Sequence, residues 1–150
     1  MNPTTVTSIA ELTSAVQSAF TTTSSRWWFR GQRNAEWDLL PSIKRGYSKQ
    51  QERYLTNLFY TAAQSRYPAC PQNNDYGAWL ALMQHYGLPT RLLDWTHSLL
   101  VAAYFATKYS FDMDESCGLT DAAIWLLDPV GLNKSQGYEA VFPPLNPDYA

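Results

Sequence analysis

Trp27-Trp28-Phe29-Arg30-Gly31-Gln32 is the stretch on which the reading of this chain turns. A run of β-prone aromatic residues closed by arginine, glycine and an amide predicts a buried strand, residues 26–30, that delivers a guanidinium to its own end. A guanidinium keeps its charge and is costly to bury alone, so Arg30 must meet a carboxylate, a phosphate or a polar ligand. Gly31 then allows a sharp turn or the close approach of another group. Two readings of Arg30 stand side by side, one as part of a ligand site and one as the buried partner of an internal acid.

On either side of this stretch the pattern is helical. Ser8 and Glu11 have capping-box spacing, and Ile9, Leu12, Val16, Ala19 and Phe20 recur every three or four residues, which predicts a helix over residues 9–20. Residues 32–46 have no clear period and read as an ordered loop with a short strand or turn at 38–42. Ser48 and Gln51 repeat the capping pattern ahead of a second helix reaching Arg66. Asn74 or Asp75 caps a third, which Gly87 and Pro89 stop. Residues 90–93 read as a short strand, and Thr96 or Ser98 opens a fourth helix running to residue 109 with Ala102, Ala103 and Ala106 as a small-residue face. Residues 111–121 are acidic and polar and read as a loop. Residues 122–127 are apolar throughout and read as a strand in the middle of a sheet, ended by Asp128-Pro129. The remainder, rich in Pro, Asn and Gly, offers no closing element. The fold class expected is therefore α+β, one domain with a small mixed sheet flanked by about four helices.

Composition bounds the function. With 150 residues the chain is one domain, and 15% aromatic content, including six tryptophans and ten tyrosines, suits a core with a lined cavity. A net charge of −2 provides no basic field for an extended nucleic-acid surface. Cys70 and Cys117 lack metal-ligand spacing, which argues against a metal site and for reduced thiols in a cytoplasmic protein. The N-terminus lacks a signal-peptide pattern and no apolar run is long enough to span a bilayer, so no membrane partner is expected.

The densest polar cluster on apolar ground is Gln84-His85-Tyr86-Gly87-Leu88-Pro89-Thr90-Arg91-Leu92-Leu93-Asp94-Trp95-Thr96. Arg91 and Asp94, three apart in an extended segment, face opposite ways, so each needs another partner: Arg30 for Asp94, and a second acid or a phosphate for Arg91. His85 reads either as a base or ligand contact or as a residue answering the dipole at a helix end. Thr96 reads as a helix cap before it reads as a ligand hydroxyl. The usual hydrolase, zincin, Walker and dinucleotide-fold motifs do not occur.

On these residues the chain resembles the FRG domain family, through Phe29-Arg30-Gly31 with Gln32, through Trp37, Leu40, Pro41 and Ser42, through His85 to Thr96, and through Ala102 to Ala106. The resemblance covers residues 26–129, in a family of bacteria and phages. A more distant similarity is to ADP-ribosyltransferases, in which an arginine-bearing strand, a hydroxyl-rich strand leading into a helix of the kind A-x-x-F-A, and a late glutamate hold NAD. That similarity implies an NAD-using transferase or an NAD-cleaving domain of a toxin or phage-defence protein, with a protein or nucleic acid as acceptor. It implies Arg30, Gly31, Gln32, His85, Tyr86, Thr90, Arg91, Trp95 and Thr96 as ligand contacts, with Tyr86 or Trp95 stacking on a ring. No E-x-E or Q-x-E pair follows, and Glu139 is the only late glutamate. The acidic role thus falls to Asp94, to Glu139, or to a glutamate beyond residue 150 of a longer parent, or is not filled. The competing expectations are a non-catalytic sensor that binds a nucleotide or a protein in the same cleft, and a purely structural network of Arg30, Arg91 and Asp94.

Overall fold

The computed structural model describes residues 3–20, 27–108 and 120–138. Expectations placed on Arg26, Cys117 and Glu139, on the loop at 111–119 and on the tail from 139 lie outside these residues. The elements run α1 (Ile9–Phe20), β1 (Trp28–Gln32), a 3-10 turn (Ser42–Lys44), α2 (Lys49–Arg66), α3 (Tyr76–His85), α4 (Leu99–Thr107), β2 (Ala123–Leu127) and α5 (Pro129–Ser135).

The helix starts follow their capping residues. The Ser8 hydroxyl accepts from the Glu11 amide at 3.2 Å. Ser48 and Gln51 form a complete capping box on α2, and the Asp75 and Ser98 side chains accept from the Ala78 and Val101 amides on α3 and α4. Gly87, at φ 78°, takes the left-handed conformation that stops the chain just past α3. The 3-10 turn replaces the strand or turn expected at 38–42.

The sheet departs from expectation in three ways. Among the described residues it has two strands and is antiparallel rather than mixed, with Phe29 opposite Leu126 and Arg30 opposite Trp125. Residues 90–93 are not a strand, because their polar groups are spent elsewhere. The Thr90 amide donates to Ser42 Oγ at 3.1 Å, the Thr90 carbonyl accepts from the Ile43 amide at 3.2 Å, and the Leu92 amide donates to Thr90 Oγ1 at 3.2 Å. The segment reaches β1 only at Thr96, which exchanges two backbone bonds of 2.7 and 2.8 Å with Phe29. The third departure is that β2 is not central. Its apolar run is covered by helices rather than by further strands, with Ile124 and Leu126 packed on the core and Trp125 turned to solvent.

α5 is a further departure. Asp128-Pro129 reads as the end of a strand, yet the same pair starts a helix: the Asp128 carboxylate accepts from the Gly131 amide at 2.9 Å and Pro129 occupies the first turn, where its missing N–H costs nothing.

β1 also runs two residues later than expected, through Gly31 and Gln32, so Arg30 sits inside the ladder and not at its end. Its alternation sorts the motif. Phe29 faces the core made with Val16 of α1 and Ala102 of α4, with Leu12, Phe20, Trp27 and Leu99 around it. Gly31 shares that face, where a Cβ would stand 1.9 Å from the Ala102 carbonyl oxygen. Strand and helix backbones touch there. Only glycine opposite the small residues Ala102 and Ala106 permits that approach, so the glycine of the motif is a packing requirement. α2 and α3 pack on each other, with Trp79 buried against the Tyr60 ring at 4.6 Å between centroids.

Candidate functional site

Trp28 and Arg30 lie on the face of β1 opposite Phe29, and each lines a cavity. The larger, an open cleft of about 700 Å³, lies between Trp28, residues 81, 84 and 85 of α3, and the connecting segment 92–97. Its walls carry Trp95, His85 and His97, the last in edge contact with Trp28 at 5.9 Å. The smaller, about 170 Å³, is lined by Arg30, Arg45, Ser42 and the turn after α3. The two cavities share Gln84, Leu92, Leu93 and Asp94. They are neighbouring compartments with a common wall.

Arg30 Nη1 donates to the main-chain carbonyl of Asp94 at 2.8 Å. Its Nε is buried without a partner among the described residues. Burial lowers the guanidinium pKa from its ordinary value, the Asp94 charge raises it, and the Arg45 charge lowers it again. The Asp94 carboxylate is held from the other side, where Oδ1 accepts from the Gln84 side-chain amide and Gln84 Oε1 accepts from the hydroxyl of the fully buried Thr90. A polar chain therefore runs from Ser42 through Thr90, Gln84 and Asp94 to Arg30. It spans both compartments.

Arg91 is not part of it. Its guanidinium forks onto both carboxylate oxygens of Glu52 on α2, with Nη2 to Oε2 at 2.9 Å. The second acid that the sequence calls for is Glu52. The single network of Arg30, Arg91 and Asp94 is replaced by two separate ones, because Glu52 of α2 claims the Arg91 guanidinium while Gln84 and Arg30 hold Asp94.

Other expected contacts also serve the scaffold. Gln32 is buried, and its amide donates to the carbonyls of Asn34 at 3.1 Å and Trp37 at 2.6 Å. It pins the loop that also stacks Arg33 over Trp37. Gly31 faces α4. Thr90 is sealed beneath the site, and Tyr86 lies against Phe59 of α2 and Tyr67 just past its end, outside the lining of either cavity. His85, Asp94, Trp95 and Thr96 do line the cleft.

Sequence reasoning missed Gln84, Arg45 and His97 as site residues. Gln84 opens the quoted cluster and His97 follows it directly, so adjacency was the available signal. Arg45 carries none, because residues 32–46 have no periodicity and only the fold brings the 3-10 turn beside α3.

The fold and site define a small α+β domain in which the Phe-Arg-Gly strand places its arginine beside an aspartate from the polar block that follows α3. The FRG domain family model matches residues 25–115, and the chain belongs to that family. Among curated proteins and among solved structures nothing matches the chain.

Proposed function

We propose that the chain binds a nucleotide of the NAD type across its two joined compartments, with a ring in the aromatic cleft and a phosphate-bearing end toward Arg30. The observation carrying this reading is the shared wall: an apolar compartment with indole and imidazole walls adjoins a smaller one with two guanidiniums, and Asp94 stands at their junction. A nucleotide has that same sequence of parts, a flat ring, a polar sugar and an anion. The cleft volume of about 700 Å³ falls within the range of small-molecule sites.

The place of Asp94 favours chemistry over passive binding. A carboxylate at the junction meets the sugar between ring and phosphate, where positive charge develops as a glycosidic bond to a ring nitrogen breaks. Gln84 holds that carboxylate in place. On this reading the domain cleaves NAD or transfers its ADP-ribose part to a protein or nucleic acid, consistent with a bacterial or phage toxin or defence protein.

Calorimetry with NAD on the full chain, followed by chromatography for released nicotinamide, tests both steps. Binding with release that Asp94→Asn abolishes supports the enzyme. Binding without release makes the domain a sensor. A chain that binds no NAD removes the reading altogether.

A further inference from the structure

We infer that the small compartment is a separate subsite for a diphosphate-sized anion and that Arg45, with Arg30, is its recognition residue. This deepens the nucleotide reading and rests on it only for the identity of the larger ligand.

Size is the first argument. About 170 Å³ has room for a phosphate or diphosphate, while the indole and imidazole walls that suit a ring belong to the larger cleft beside it. Charge is the second. Arg30 and Arg45 both line it, and Asp94, the acid in its wall, is already bonded through its carboxylate to the Gln84 amide. Arg45 spends only Nε, on the Leu40 carbonyl at 2.9 Å, and Arg30 spends only Nη1. The remaining Nη donors of both have no hydrogen bond within the described residues.

The two guanidiniums also act on each other. Burial lowers the Arg30 pKa, the Asp94 charge raises it and the Arg45 charge lowers it by less, so the two guanidiniums feel each other across the compartment. Guanidinium forks suit the oxygens of a phosphate better than point charges do. An exposed arginine on a turn, held through Nε to the Leu40 carbonyl, thus becomes the second half of a clamp. Ser42, on the same turn, is fixed through its hydroxyl to Thr90 and sets the position of that turn against the segment carrying Asp94.

The test is calorimetric titration of inorganic pyrophosphate into the parent, Arg45→Gln and Arg45→Lys. Arg45 is exposed, and glutamine retains an amide donor for the Leu40 carbonyl, so thermal melts of both variants stay near the parent. Pyrophosphate affinity should fall tenfold or more in Arg45→Gln and recover in part in Arg45→Lys, and pyrophosphate should compete with NAD. Equal pyrophosphate affinity in parent and Arg45→Gln, within twofold, overturns the subsite. Two outcomes separate this inference from the nucleotide reading. Arg45-dependent pyrophosphate binding with no NAD binding keeps the subsite and removes the nucleotide. NAD binding that ignores both Arg45 and pyrophosphate keeps the nucleotide and removes the subsite.

Discussion

Arg30 and Gly31 are neighbours that do opposite work. Gly31 answers to packing, since any Cβ there meets the Ala102 carbonyl oxygen at 1.9 Å, a backbone atom that cannot rotate away. Gly31→Ala should therefore separate β1 from α4 and lower the melting temperature by many degrees, read by circular dichroism. Arg30 answers to the small compartment. Its one hydrogen bond among the described residues goes to a main-chain carbonyl that an ammonium can also reach, so Arg30→Lys should melt near the parent while NAD affinity falls by roughly tenfold or more as the planar fork is lost. An Arg30→Lys variant that binds NAD like the parent removes Arg30 from the site. Gln84 has a third role, as the residue between Thr90 and Asp94. Gln84→Leu leaves the buried Thr90 hydroxyl without its acceptor and frees the carboxylate, which should cost about 1–3 kcal/mol in a denaturant titration.

At the scale of elements, the segment after α3 is held to its neighbours by a few polar ties. One tie is the fork between Arg91 and Glu52 of α2, and its hydrogen bond holds the Glu52 pKa below the ordinary 4.5. A carboxylate whose folded pKa is lowered stabilises the fold above its unfolded pKa, and that contribution is lost as pH falls through the folded value. Stability should thus drop as pH is taken below about 4.5, and Glu52→Gln should shrink the drop. Equal acid profiles for the two proteins remove the tie from the account. The Glu11 carboxylate, also held low by bonds from Thr7, adds to the same limb. At the other end of the described chain, Asp128→Ala removes the cap of α5 and should cost about 1 kcal/mol, measured by thermal melt.

Across the whole molecule, burial falls in two places, one where α1, α4 and the two strands meet, with Ala102 fully enclosed and Phe29 nearly so, and one around Ile43, Ala63, Trp79 and Met83. Amide exchange should be slowest there and faster along the segment 88–97, which is tied mainly through side chains. Bound NAD should slow exchange in that segment first. The sequence alone determined the starts of α1 to α4, because a capping residue and its partner lie three positions apart and meet in any helix, and it determined the α+β class and the family through the Phe-Arg-Gly and His-to-Thr blocks. It also indicated that Arg91 and Asp94 need partners besides each other, but not that Arg91 leaves the network expected with Arg30 and Asp94, because its partner Glu52 comes from a helix distant in sequence. The tertiary structure decided the rest. Whether residues 90–93 join a sheet depends on which distant groups claim their hydrogen bonds, and Ser42 and Ile43 claim them. Whether Gln32 faces a ligand or a loop depends on where residues 34–37 pass. The place of Arg45 beside Arg30 depends on a turn with no pattern of its own, brought near only because β1 and α3 are held apart by the connecting segment with a cleft between them. Contacts between residues far apart in sequence leave no periodic trace in it, which is why the helices were legible and the pairings across the sheet and the site were not.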